Sequence, residues 1–162
     1  MREAGFWARA RRHPSFVLGG LMTLLFIGSA ALSLVWTPWP ATEIDIPNKL
    51  ALPSAAHWLG TDSLGRDIVS QLLVGARTSI LVGVVAVLIG LVCGVALGGL
   101  AAARRGWLEE AVMRLSDFAF AFPALLSAIM LGAIYGPGIV TGIVAIGIFN
   151  IPVFARTARA SA

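Results

Sequence analysis

Four long apolar runs, about 16–36, 79–103, 118–135 and 139–155, constrain this chain more than any other feature. Each comes close to the ~17–25 residues with which a helix crosses a bilayer. A soluble fold of 162 residues could bury one such run, but four would leave almost no surface for water. The composition agrees, with 58% hydrophobic and only 12% charged residues, where soluble domains carry about a quarter charged. The expectation is an all-α integral membrane protein with four transmembrane helices.

The segments between the runs set the organisation. Residues 1–15 form a basic N-terminal segment with Arg2, Arg9, Arg11 and Arg12, and with Phe6 and Trp7 as interfacial anchors. The first run is too long for the ~7–15 apolar residues of a cleavable leader, so it reads as a retained span. The connector 37–58 holds Pro38, Pro40, Pro47 and Pro53, which rules out a regular helix there because each proline lacks an N–H and restricts its predecessor. Trp36, Trp39 and Trp58 are placed at the membrane interface on this side. The first span and its connector make up residues 16–78, and residues 79–162 the core of the membrane domain.

The polar stretch HWLGTDSLGRDIVSQLLVGARTSI, His57 to Ile80, breaks the greasy pattern. Gly60 permits a tight turn, and Thr61 or Asp62 suits the N-cap of a short amphipathic helix that runs into the second span. Asp62 and Arg66 stand at i,i+4 spacing, with Asp67 beside them. Two readings stay open from the residues alone: an interfacial helix with solvated charges, or an outer gate or docking surface built on Asp62, Arg66 and Asp67.

The second run carries Ala86, Gly90, Gly94 and Gly98 at spacing of four. Small residues on one helix face allow close backbone approach where lipid offers no hydrophobic drive, so this face is expected to pack on another helix. Asp117 lies at the mouth of the third run and reads as a dipole-favoured cap. Pro123 bends that helix or lies close to its start. Gly136-Pro137-Gly138 is a minimal hairpin, and Asn150 with Pro152 marks the fourth run as bent or shortened. Asp117, Pro123 and Pro152 are thus expected to be structural, at span ends.

Charge gives the orientation. Inner segments carry Arg2, Arg9, Arg11, Arg12, Arg104, Arg105, Arg114, Arg156 and Arg159, and outer ones Lys49, Arg66 and Arg77. Nine against three places both ends in the cytoplasm and the Asp62–Asp67 stretch outside. The same excess of arginine accounts for the net charge of +4 without invoking nucleic acid, for which no basic stripe with interleaved aromatics is present. Cys93 stands alone, which excludes an internal disulfide, and reads as a small core residue. His13 and His57 are far apart, so no metal site is expected. No nucleotide-binding loop, Ser–His–Asp set or paired carboxylates of a cleft is visible. The chain is not expected to be an enzyme.

Against these residues, HWLGTDSLGRDIVSQLLVGARTSILVG resembles the LGTDxxGRDxxSRxxxGAR signature of the inner-membrane permeases of peptide-type ATP-binding-cassette (ABC) importers. FWARARRHPSFVLGGLM is similar to the family's basic start and first span. WLEEAVMRLSDFAFAFPALLSAI is similar to its W-x-(D/E)-x-x-x-M-R-x-x-D-x-x-x-A-F-P-x-L-L pattern, and IFNIPVFARTAR to its entry into the cytoplasmic coupling region. Gln71 departs from the usual Arg. The resemblance implies one half of a heterodimeric translocation pathway in the bacterial inner membrane, importing a dipeptide, oligopeptide, glutathione or nickel. It implies as partners a second permease subunit, two ABC ATPase subunits that carry ATP and Mg, and an extracytoplasmic solute-binding protein, with lipid around the spans. It also implies six spans and an ATPase-docking EAA loop, so the chain reads as truncated before that loop. The alternative is a non-transporting four-span fragment with an assembly or structural role.

Overall fold

A computed structural model describes residues 13–104 and 106–161. The basic segment with Arg2, Arg9, Arg11, Arg12, Phe6 and Trp7 lies outside the described residues, as does Arg105. The described residues are helical apart from the connector and short turns. Helix α1 spans Pro14–Leu32, α2 Ile68–Ala103, α3 Trp107–Ala121, α4 Ala124–Tyr135 and α5 Ile139–Ser161. A single 3-10 turn, Ile46–Asn48, interrupts the connector. Helices α1, α2 and α5 are long and apolar enough to cross a membrane, and α3 with α4, bent by 84° at their junction, is apolar enough for a broken fourth span or a re-entrant loop. The chain divides into two compact units, Met1–Ile80 and Leu81–Ala162.

The core is made of small residues. Apart from Pro152, every buried apolar side chain among the described residues is an alanine, namely Ala30, Ala76, Ala86, Ala101, Ala145 and Ala155. Large side chains such as Leu24, Val92 and Leu125 point outward. In water this would be an inside-out protein. In lipid it is the expected economy, because tails are as apolar as leucine and helices associate through close packing instead.

Three boundaries differ from the sequence reading. The amphipathic stretch and the second span are one continuous helix, α2, of 36 residues. At the usual rise it is about 54 Å long, well beyond the ~30 Å of a hydrocarbon core, so part of it projects into the polar zone. No proline or cap interrupts it after Asp67, which is why one helix forms where two were expected. The third span starts at Trp107 rather than near Asp117, since Glu109 and Glu110 in its first turn suit a helix N-terminus. Asp117 therefore lies inside α3 and caps nothing. The break follows Pro123, which holds Phe122 extended at φ −88°, ψ 131°. Finally, α5 is not shortened: it runs through Pro152 to Ser161. Cys93 is exposed on α2, not in the core.

Within the second unit the glycine face of α2 meets α5. A Cβ at Gly94 would lie 2.6 Å from the Ile151 carbonyl oxygen and from Phe154 Cβ. One at Gly98 would strike the Ala155 carbonyl, and one at Gly90 would lie 3.1 Å from the carbonyl carbon of Asn150. From the other side, Gly147 of α5 leaves room for Ile89. Ala86 is fully buried at the head of the stripe.

Candidate functional site

The loop before α2 folds into a knot of hydrogen bonds that begins with two glycines. Gly60 and Gly65 both take φ +78°, a left-handed conformation that costs glycine little. A Cβ at Gly65 would run into the Asp45 carbonyl, and one at Gly60 into that of Ala51. The loop is thus laid directly on the connector backbone. Leu50 N–H donates to the Asp62 carbonyl (2.9 Å), Asp45 N–H to that of Leu64 (3.1 Å) and Thr61 N–H to that of Ala51 (3.1 Å). Thr61 Oγ1 accepts from Ala51 N–H at 2.8 Å and donates to the Asn48 carbonyl.

Asp62 gathers this turn. Its Oδ1 accepts the N–H groups of Leu64 (2.8 Å) and Arg66 (2.9 Å), and its Oδ2 accepts Arg66 Nε (2.8 Å) and Gln71 Nε2 (3.2 Å). Arg66 Nη2 adds a contact of 2.7 Å. Desolvation pushes the Asp62 carboxyl up, but the guanidinium, the two backbone donors and the Gln71 amide outweigh it and hold the carboxyl down at about 2. Asp67 is the residue that caps α2, correcting the assignment of the cap to Thr61 or Asp62. Its Oδ2 accepts Ser70 N–H and Ser70 Oγ–H, both at 2.8 Å, and its Oδ1 lies 3.1 Å from His57 Nδ1. Desolvation again raises this carboxyl, and the two Ser70 bonds with His57 bring it below its ordinary value. Ser70 Oγ in turn accepts Trp39 N–H (3.0 Å). The Trp39 ring stacks on His57 at 5.2 Å and its Nε1–H reaches the Ala56 carbonyl at 2.9 Å.

Asp62, Arg66 and Asp67 are therefore brought together, in different roles. The side chain of Asp67 is 1% exposed, against 22% for Asp62 and 33% for Arg66. Only the latter two can touch a partner. The cavity beside them, lined by Trp39, Glu43, Asp45, His57 and Asp67 among others, holds about 40 Å³. That is room for about one water molecule, so the knot is not a solute site.

No family model matches the chain. It is 44% identical over 155 residues to the glutathione transport system permease protein GsiD of Pectobacterium atrosepticum, covering 95% of this chain and 52% of that protein. The corresponding proteins of Escherichia coli O6:K15:H31 and Shigella boydii serotype 4 are each 43% identical over 155 residues, 95% of this chain and 51% of theirs. The chain belongs to the peptide-type ABC-importer permeases. It spans about half the length of the curated relatives it matches. Permeases of this family are multi-pass inner-membrane transporters rather than enzymes, in keeping with the apolar helices described above.

A second cluster in this permease joins α3 to α5. Arg156 pairs with Asp117 and lies 4.6 Å over the Phe120 ring, and Arg159 grips Glu109 through Nε at 2.8 Å. Glu110 and Arg114 pair along α3 at 2.6 Å. The sequence reading placed Arg114, Arg156 and Arg159 on the inner side and Asp117 as a cap, and paired none of them. Asp117 and Arg156 are 39 residues apart, and no local pattern joins them. Exposed pairs of this kind are worth about 0–1 kcal/mol each. Arg159→Glu is accordingly expected to lower the stability of the purified permease by about 0.5–1 kcal/mol, and the Glu109→Arg/Arg159→Glu exchange to recover most of it. Denaturant titration of the set checks this; an exchange no better than the single variant refutes the pairing.

Proposed function

We propose that the chain forms part of the translocation pathway of a binding-protein-dependent ABC importer for glutathione or a similar short peptide. The observation that carries this reading is its 43–44% identity, over 95% of its length, to glutathione permeases. In this reading the knot faces the outside and both chain ends the cytoplasm, as the arginine balance supports. A second permease subunit completes the pathway, two ATPase subunits bind and hydrolyse ATP with Mg, and a solute-binding protein delivers cargo to the outer face. Nucleotide shifts the permease between inward- and outward-open states only as far as it binds one state better.

Asp62 and Arg66 are proposed as the docking or gating charges of the outer face, with Asp67 holding them in place. Their half-exposed positions on a loop that is hydrogen-bonded to the connector supports this. Uptake of labelled glutathione by the full-length complex in proteoliposomes is the test of the function. Arg66→Gln is expected to weaken capture of the binding protein by about 1–2 kcal/mol, roughly 5- to 30-fold. Unchanged capture and uptake in a variant with wild-type tryptophan emission removes Arg66 from the docking surface.

A further inference from the structure

Helix α5 holds α2 and α3 in different ways. Against α2 it lies backbone on backbone, since Gly94 and Gly98 leave no room even for a Cβ. Against α3 it is held by long side chains that reach across. Arg156 pairs with Asp117 and Arg159 with Glu109, and the four side chains are between 23% and 67% exposed. Exposed pairs of this kind bind weakly and are screened by salt.

Below these pairs α3 does not close on its neighbours. Glu109, Val112, Ser116 and Ala119 follow one another at spacings of three, four and three, which makes them one stripe of the helix. Glu109 carries a pair, and the other three wall a space of about 320 Å³ together with Leu97 of α2 and Ile148 and Pro152 of α5, among others. Packed helices leave few voids larger than a water molecule. The Ser116 hydroxyl donates to the Val112 carbonyl of its own helix at 2.8 Å, so the wall offers water no partner.

Both ends of α3 are loosely tied. Gly106 precedes it at φ +97°, with no capping side chain and nothing within 4 Å of its Cβ position. At the other end Phe122 and Pro123 are extended, and no backbone hydrogen bond among the described residues bridges α3 to α4. Element-terminal residues of this kind absorb the changes of φ and ψ in hinged motions. We infer that α3 is a hinged lever of the transport cycle: the Arg156–Asp117 and Arg159–Glu109 pairs latch it to α5, and on release it turns about Gly106 and Pro123 to close the space beneath it. This rests on the permease reading above. The two states differ by two weak pairs and one unfilled apolar space, which offset each other, so a partner that binds one state better tips the balance.

The test uses the full-length permease assembled with its partner subunits in proteoliposomes, with Cys93→Ser as background. Labelled dialanine and S-methylglutathione serve as solutes, since neither carries a thiol. In Glu109→Cys/Arg159→Cys, a short bifunctional methanethiosulfonate that bridges α3 to α5 is expected to stop uptake, and dithiothreitol to restore it. The same bridge in Glu110→Cys/Arg114→Cys joins two turns of one helix and is expected to leave uptake as it was. Ala119→Leu, which fills the space, is expected to raise the thermal midpoint by about 2–4 °C and to lose most of the uptake. Uptake that persists in the bridged Glu109→Cys/Arg159→Cys complex overturns the inference and makes the pairs a static contact. An Ala119→Leu complex that is stabilised and transports normally overturns it too. One that loses stability and uptake together shows the space already filled in the assembled permease, with the same consequence. A wild-type complex that takes up neither solute refutes the permease reading itself, and the inference falls with it.

Discussion

Gly94→Leu in the full-length permease is expected to cost about 3 kcal/mol or more, at the upper end of overpacking penalties. Most overpacked sites relax because a neighbouring side chain can swing away. Here the first obstacle is the Ile151 carbonyl oxygen, 2.6 Å from the Cβ position, and backbone inside a packed helix cannot swing. The helices would have to separate, and the small-residue contact that joins α2 to α5 would be lost along its length. Gly98→Leu behaves in the same way, since its Cβ meets the Ala155 carbonyl. Gly99, the next residue, has nothing within 4 Å of its Cβ position. Gly99→Leu is expected to remain within about 0.5 kcal/mol of wild type, as surface substitutions do. Denaturant or thermal unfolding in detergent separates the cases; equal loss at Gly94 and Gly99 would mean that general glycine loss, not the α2–α5 contact, sets the effect.

That contrast shows how much of the fold the residues disclose. Hydropathy finds the spans because each must be apolar along its whole length, and the four-residue spacing of Ala86, Gly90, Gly94 and Gly98 is visible as a packing face. What faces it is not, because the counterpart lies about sixty residues further along and no local rule selects Asn150, Ile151 and Ala155. The start of α3 was hidden for a different reason. Residues 107–117 are polar enough to pass for a loop, although the Glu110–Arg114 spacing of four was already a helical signal. In the knot, the glycine turn and the Asp62–Arg66 pair follow from spacing. The cap does not, because Thr61, Asp62 and Asp67 all have suitable side chains. The deciding feature is Ser70, three residues after Asp67, whose N–H and hydroxyl both donate to the Asp67 carboxylate. Gln71, a surface substitution by its position in the helix, proves to be a donor to Asp62.

Asp67→Ala is the other substitution with a large expected effect, about 3 kcal/mol. Loss of an N-cap costs about 1–2 kcal/mol, and the buried Ser70 hydroxyl, left without its acceptor, adds about 1–3 kcal/mol. Asp67→Asn keeps an oxygen for Ser70 N–H, and asparagine is itself a good cap, so about 1 kcal/mol is expected from the lost charge-assisted bonds. The pH dependence has a definite sign. Asp62 titrates at about 2 against an ordinary 3.8, and Asp67 is lowered too. Carboxylates lowered by folding contribute stability in full above their unfolded values and lose it as pH falls through the folded ones. The knot is thus expected to hold from neutral pH to about pH 4 and to open below it, towards pH 2, where Asp62 takes its proton. Tryptophan emission reads this directly, since Trp39 stacks on His57 within the knot. In Asp67→Asn the Asp62 share of the acid transition persists and the Asp67 share disappears. An acid transition of the same size in both proteins would show that Asp67 is not linked to folding of the knot. Because Asp67 also starts α2, whose far half carries the glycine contact with α5, opening the knot releases the first turn of that helix. Glutathione uptake measured alongside the emission change tells whether α2 transmits the loss: uptake that falls with the same pH midpoint places the cap in the transport cycle.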